Sequence, residues 1–149
     1  MAIRRILLGC EMARLRRLPN RRDMPVNVLI IEDDPTARVT LERLLAGAGF
    51  VVRSAGTLGE GNQKLEALEG HAAVILDLNL PDGNGVEILK RIRAENRPVK
   101  VLVATADTDS PVLREVEGLR PDALLTKPLD VRKLVGLLDP AAENPGRAE

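Results

Sequence analysis

The chain has 149 residues, 44% of them hydrophobic, 30% charged and 1% aromatic, with 22 basic side chains balancing 22 acidic ones. One domain of ordinary size with an aliphatic core fits these figures, since single domains run to roughly 100–200 residues. With Phe50 as the sole aromatic, Cys10 as the one cysteine and His71 as the one histidine, base-stacking platforms, an intramolecular disulfide and a Cys/His zinc cage are excluded.

Residues 1–25 carry seven arginines against two acids, a net of +5 that the rest of the chain offsets. Ile3, Ile6, Leu7 and Leu15 make no clean apolar stripe there. This head reads as a basic N-terminal extension, either disordered or upstream of a native start at Met24. No apolar run approaches the roughly 18 residues of a membrane span, and Ile6-Leu7-Leu8 is shorter than a secretory core, which takes about 7–15. A lone cysteine and no membrane segment point to a reducing, cytoplasmic setting.

From residue 26 onward, apolar runs at 26–31, 50–52, 72–76, 99–104 and 123–125 alternate with helix-like stretches. Three of them are near-continuous and β-branched, the pattern of strands covered on both faces. Crossover helices fit the spacers, so the runs predict a doubly wound α/β fold around a five-stranded parallel sheet. Asp34 before Pro35 caps the first helix, whose apolar stripe is Val39, Leu41, Leu44 and Leu45. The second spacer is weaker. Thr57 offers a cap and Leu58, Leu65 and Leu68 an inner face, but Gly59 and Gly61 each cost about 1 kcal/mol of helix propensity. Val86, Ile88, Leu89 and Ile92 mark the third helix. Ser110-Pro111 opens a fourth over Val112, Leu113 and Val116, and Asp130 a fifth over Val131, Leu134, Leu137 and Leu138. The domain thus spans 26–139, and the polar stretch 140–149 reads as a flexible tail.

In an open parallel sheet, ligands bind beyond the carboxyl ends of the strands, and that is where the polar residues fall. The first run leads into Glu32-Asp33-Asp34, the third into Asp77, the fourth into Thr105 and the fifth into Lys127-Pro128. Carboxylates gathered at one edge repel one another and raise each other's pKa unless a cation neutralises them. A hard, oxygen-binding divalent ion is expected there, and Mg²⁺ suits that description.

Glu32-Asp33 behind Val28-Leu29-Ile30-Ile31, the stretch Asp77-Leu78-Asn79-Leu80-Pro81-Asp82-Gly83, Thr105-Ala106 and Lys127-Pro128 together resemble the receiver domain of bacterial two-component response regulators. The intervals are 44 residues from Asp33 to Asp77, 28 on to Thr105 and 22 on to Lys127. The likeness covers about 26–139 and implies a flavodoxin-like sheet, strand order 2-1-3-4-5, with five helices. It makes Asp77 the nucleophile that takes a phosphoryl group from a histidine kinase or phosphotransfer protein. It assigns Mg²⁺ to Glu32, Asp33, Asp77 and the main-chain carbonyl of Asn79. Lys127 supplies a further positive charge to the developing anion, and Thr105 senses the modification by turning its hydroxyl. Asn79 and Asp107 match positions that tune dephosphorylation. Such a protein catalyses only its own phosphorylation and dephosphorylation, and is no enzyme toward a separate substrate.

Other residues have plainer readings. Asp34 is a helix cap, Pro81 and Gly83 shape a turn, and His71 is a loop residue away from the site edge. Leu124 stands where many receivers carry an aromatic switch. No DNA-binding module follows the fifth helix, so output is expected through a downstream protein target or a phosphorelay, from a monomer or weak dimer. Kinase specificity is expected on the first helix around Arg38 to Leu45. Two alternatives differ in class. An aspartate-nucleophile phosphatase of the haloacid dehalogenase type wants a second Asp where this chain has Asn79, and a nucleic-acid binder using the arginine-rich head predicts strong salt dependence.

Overall fold

The computed structural model of the chain describes residues 25–107 and 109–140. The basic extension up to residue 24 and the tail from 141, both inferred from the sequence, lie outside the described residues. Among the described residues the elements are β1 (Asn27–Ile31), α1 (Pro35–Gly47), β2 (Val51–Ala55), α2 (Leu58–Glu66), β3 (Ala72–Asp77), β4 (Asn79–Leu80), β5 (Gly83–Asn84), α3 (Val86–Ala94), β6 (Val99–Thr105), α4 (Pro111–Gly118), β7 (Ala123–Thr126) and α5 (Val131–Leu138). None of these helices is long and apolar enough to cross a membrane.

Five strands pair in parallel in the order β2-β1-β3-β6-β7. This is the expected 2-1-3-4-5 order once the antiparallel two-residue hairpin β4/β5 is set apart. The chain leaves β1 for β2 on one side and returns to β3 on the other, which puts the topological switch point between β1 and β3. Register then decides what meets there. Ile31 pairs with Leu76 and Asp77 with Ala104, so the residues just past β1 and the last of β3 lie side by side.

The near-continuous strand runs have their explanation in a core on each face. One layer packs Leu29, Ile31, Val74, Leu76, Val101 and Val103 under α2, α3 and α4; the other packs Val28, Ile30, Ala73, Ile75 and Leu102 under α1 and α5. Alternate residues of each central strand thus serve opposite layers, and each Val, Leu or Ile side chain buried this way contributes about 1.5–3 kcal/mol. The helix caps form at Asp34, Thr57, Ser110 and Asp130, each accepting a backbone N–H of its own helix. Two of the four apolar residues expected to face inward on α1 do not: Leu41 and Leu45 are buried, whereas Val39 and Leu44 are exposed.

One of the two glycines counted against α2, Gly61, serves packing. A Cβ on Gly61 would stand 2.9 Å from the Ile31 Cδ1 and 3.2 Å from that of Ile88, so its absence lets the helix sit close to the sheet. Asp82, at the β4/β5 turn, supplies a second cap. Its Oδ1 accepts the Leu58 N–H at 2.6 Å and its Oδ2 the Gly59 N–H at 3.0 Å, closing two amides that a helix start leaves unpaired. The Gly59 amide, then that of Leu58, holds the Asp82 carboxyl below its ordinary value. A carboxyl more acidic in the folded state stabilises fully above its unfolded pKa, about 3.9, and that stabilisation is lost as pH falls through the folded value. Asp82→Ala is therefore expected to melt below the wild type at neutral pH, with the gap narrowing in acid. Equal melting temperatures at neutral pH refute the tertiary cap.

At the opposite sheet edge, basic side chains close the carbonyl ends of three helices. Arg97 Nη2 donates to Leu65 O at 2.7 Å, Arg93 Nε to Leu119 O at 3.0 Å, and Lys100 Nζ to Leu137 O at 2.6 Å. Cations at helix C-termini complement the dipole. The helices begin at the other edge, beyond the carboxyl ends of the strands, where an open parallel sheet binds its ligands.

Candidate functional site

Four of the five sheet strands bring candidate side chains to the C-terminal edge: β1, β3, β6 and β7. Glu32 follows β1 with its N–H still bonded to Ala55 O at 3.0 Å, and Asp77 closes β3. Both carboxylates are buried, at 4% and 3% exposure, while the adjacent Asp33 is exposed. Carboxylate oxygens of Glu32, Asp33 and Asp77 lie within 4.8 Å of one another. Lys127 arrives from the end of β7, its N–H donating to Thr105 O at 2.9 Å. Its ammonium bridges the two buried acids, 2.8 Å from Glu32 Oε2 and 3.1 Å from Asp77 Oδ2.

The loop after Asp77 folds back to hold it. Asn79 donates its N–H to Asp77 Oδ1 at 3.1 Å, and Gly85 donates its own to Leu78 O at 2.9 Å. Gly85 also presses on the Asp77 main chain: a Cβ there would fall 2.1 Å from the Asp77 carbonyl oxygen. Only glycine allows that approach.

Burial, followed by the neighbouring charge of Asp77, raises the Glu32 pKa above its ordinary value against the opposing pull of Lys127. Burial works against the charge of Lys127, but its hydrogen bonds to Glu32 and Asp77 prevail and its pKa is raised. Three carboxylates therefore face one ammonium, an excess of negative charge at a partly desolvated edge. A divalent cation fits this donor set. An ion with oxygens at about 2.1 Å sets neighbouring ligands about 3 Å apart and opposite ones about 4 Å, so a spread within 4.8 Å needs only a small contraction.

The acids open into a cleft of about 510 Å³. Asn79, Ala106 and Lys127 also line it, and Leu41, Leu44, Leu129 and Val131 form an apolar wall. Thr105 is buried at the end of β6 and accepts the Asp107 N–H on its hydroxyl at 3.0 Å. Asp107 is exposed, and its Oδ1 accepts the Asp109 N–H at 3.2 Å. The structure thus brings Glu32, Asp33, Asp77 and Lys127 into one cluster, with Asn79 tied on through its amide and Thr105 through its carbonyl. Asp107 makes its hydrogen bonds within its own loop.

Sequence reading missed Gly85, Asp82 and the inward role of Arg38. A signal existed for Gly85, the last residue of the glycine-rich Pro81-Asp82-Gly83-Asn84-Gly85. Arg38 donates Nη1 to Glu32 O at 2.7 Å, a contact that no spacing rule announces.

Comparison with known proteins places this geometry among relatives. A family model described as the response regulator receiver domain matches residues 28–139. The transcriptional regulatory protein FixJ of Bradyrhizobium diazoefficiens is 33% identical over 118 residues, covering 77% of this chain and 56% of that protein. The chain spans about half the length of the curated relatives it matches. A response regulator receiver protein from Pseudomonas putida superposes with a TM-score of 0.71 at 27% identity, covering 77% of this chain and 96% of the other. A response regulator protein from Burkholderia pseudomallei, solved with a phosphorylated aspartic acid, a calcium ion and citrate, is similar at a TM-score of 0.66 and 25% identity, covering 78% of this chain and 68% of that one.

Proposed function

The chain belongs to the response regulator receiver domain family, and on that premise we propose that Asp77 accepts a phosphoryl group from a phosphohistidine on a histidine kinase or phosphotransfer protein. The carrying observation is a carboxylate 3% exposed, bridged by Lys127 and grouped with two further acids. The aspartyl phosphate and calcium ion of the Burkholderia pseudomallei relative support the reading.

An Asp77 carboxylate oxygen attacks phosphorus, forming the O–P bond as the P–N bond to the donor imidazole breaks. The electron pair stays on the departing nitrogen, which takes a proton from solvent. Lys127, now shared between Glu32 and Asp77, is placed to donate to the incoming phosphoryl oxygens. Glu32, Asp33, Asp77 and the Asn79 carbonyl would hold Mg²⁺, which would supply the second positive charge that lets two anions meet. Thr105 carries the signal onward. Its hydroxyl, released from the Asp107 amide and turned to the phosphoryl group, frees the loop that follows β6. Asn79 and Asp107 are assigned to the lifetime of the modification.

Output passes by protein–protein contact or phosphorelay in the cytoplasm, and β7 presents an exposed Leu124 in place of an aromatic switch. The protein turns over no separate substrate. Incubation with a small acyl phosphate checks the chemistry: label is expected to need Mg²⁺ and to be removed by hydroxylamine, which cleaves acyl phosphates. Label that survives hydroxylamine, or forms equally with a chelator present, refutes an aspartyl phosphate at this site.

A further inference from the structure

Arg38 sits on α1, the helix expected from its sequence to face a partner, yet its guanidinium turns onto the main chain of the acidic pair. Nη1 donates to the Glu32 carbonyl at 2.7 Å and reaches that of Asp33 at 3.4 Å. Both carbonyls lie beyond Ile31, the last residue of β1. Consecutive peptide planes past a strand end are free to rotate, and each rotation swings the attached carboxylate. One donor shared by two carbonyls ties those planes together.

Gly56, just past β2, makes the seat. A Cβ on Gly56 would lie 2.8 Å from Arg38 Nη1 and 3.3 Å from its Cζ, so the guanidinium fills the space that a side chain would take. We infer that Arg38 is a positioning residue, holding Glu32 and Asp33 in the geometry that binds the divalent cation, with Gly56 small so that it can do so. This inference rests on the metal-binding part of the proposed function.

The charge of Arg38 acts in the opposite direction. A guanidinium near the cation repels it, so a purely electrostatic role requires tighter Mg²⁺ binding once the arginine is removed. Positioning requires weaker binding, and groups that orient metal ligands are typically worth about 10–100-fold in affinity.

Calorimetric titration of the unphosphorylated full chain with Mg²⁺, below the melting temperature of every variant, separates the two. Arg38→Ala is expected to bind Mg²⁺ about 10-fold more weakly. Gly56→Ala, which keeps the charge and dislodges the guanidinium, is expected to weaken binding as well, and Arg38→Lys to fall between Arg38→Ala and the wild type. Labelling of Arg38→Ala by a small acyl phosphate is expected to recover at saturating Mg²⁺. Unchanged or tighter binding in Arg38→Ala, or wild-type affinity in Gly56→Ala, overturns the inference and leaves the proposed function standing. A wild type that binds no Mg²⁺ overturns the metal reading of the cleft and this inference with it.

Discussion

Replacing Gly85 with alanine is expected to lower both the stability of the protein and the reactivity of Asp77. The new methyl would sit 2.1 Å from the Asp77 carbonyl oxygen and 3.1 Å from Leu76 Cδ1. A side chain can step aside, but the first neighbour is main chain at the end of β3. Either the Asp77 peptide moves, carrying the carboxylate away from Lys127, or the hairpin turn before α3 opens. Overpacking of this kind costs about 1–3 kcal/mol. Gly136→Ala is the control: nothing lies within 4 Å of a Cβ there, and inside α5 alanine gains about 0.8–1 kcal/mol of helix propensity. Thermal melts are expected to move in opposite directions for the two variants. A Gly85→Ala protein that melts and labels like the wild type contradicts the packing described.

Lys127→Ala is expected to have the second large effect, on two observables. Loss of an ammonium aimed at developing negative charge should slow labelling of Asp77 by about 10²–10³-fold. In addition, Glu32 and Asp77 are left as buried acids with no cation between them. Breaking a fully buried pair costs about 3–5 kcal/mol. Lys127 is 28% exposed, so water screens the vacated site and a loss on the order of 2 kcal/mol is expected. Burial already raises the Glu32 pKa, and removal of Lys127 raises it further. A carboxyl less acidic in the folded state binds more protons there, so the variant should gain stability as pH falls from neutral through the raised Glu32 value. That trend is opposite in sign to the contribution of Asp82. Mg²⁺ should restore stability at neutral pH. Melting temperatures that respond neither to mild acid nor to Mg²⁺ contradict the charge balance drawn for the site.

The sheet was legible in the sequence because burial on both faces leaves a run such as Val28-Leu29-Ile30-Ile31 without polar interruption. The site was legible because parallel strands with crossover helices bring all their carboxyl ends to one edge. Glu32, Asp33, Asp77 and Lys127 therefore meet even though 50 residues separate Asp77 from Lys127. Short or edge elements were harder to read. β2 extends through Arg53 and Ser54, whose polarity hid them, since an edge strand need not bury every residue. The two-residue strands of the 79–84 hairpin are too short to show a period of two. Contacts that close over long separations left no local trace. Asp82 caps α2 from another loop, and Arg38, placed by its sequence only among the expected kinase-specificity residues, reaches the carbonyl of Glu32. Gly59 and Gly61 were weighed by helix propensity alone, whereas the approach of Gly61 to Ile31 and Ile88 is a tertiary fact.

The proposed role of the cleft requires the carboxylate of Asp77 to become esterified with a single phosphoryl group. Intact-mass measurement after incubation with a small phosphodonor and Mg²⁺ tests it most directly, on the wild type and on Asp77→Asn. The wild type should gain the mass of one phosphoryl group and Asp77→Asn none. Equal gains in both proteins would contradict the assignment of Asp77.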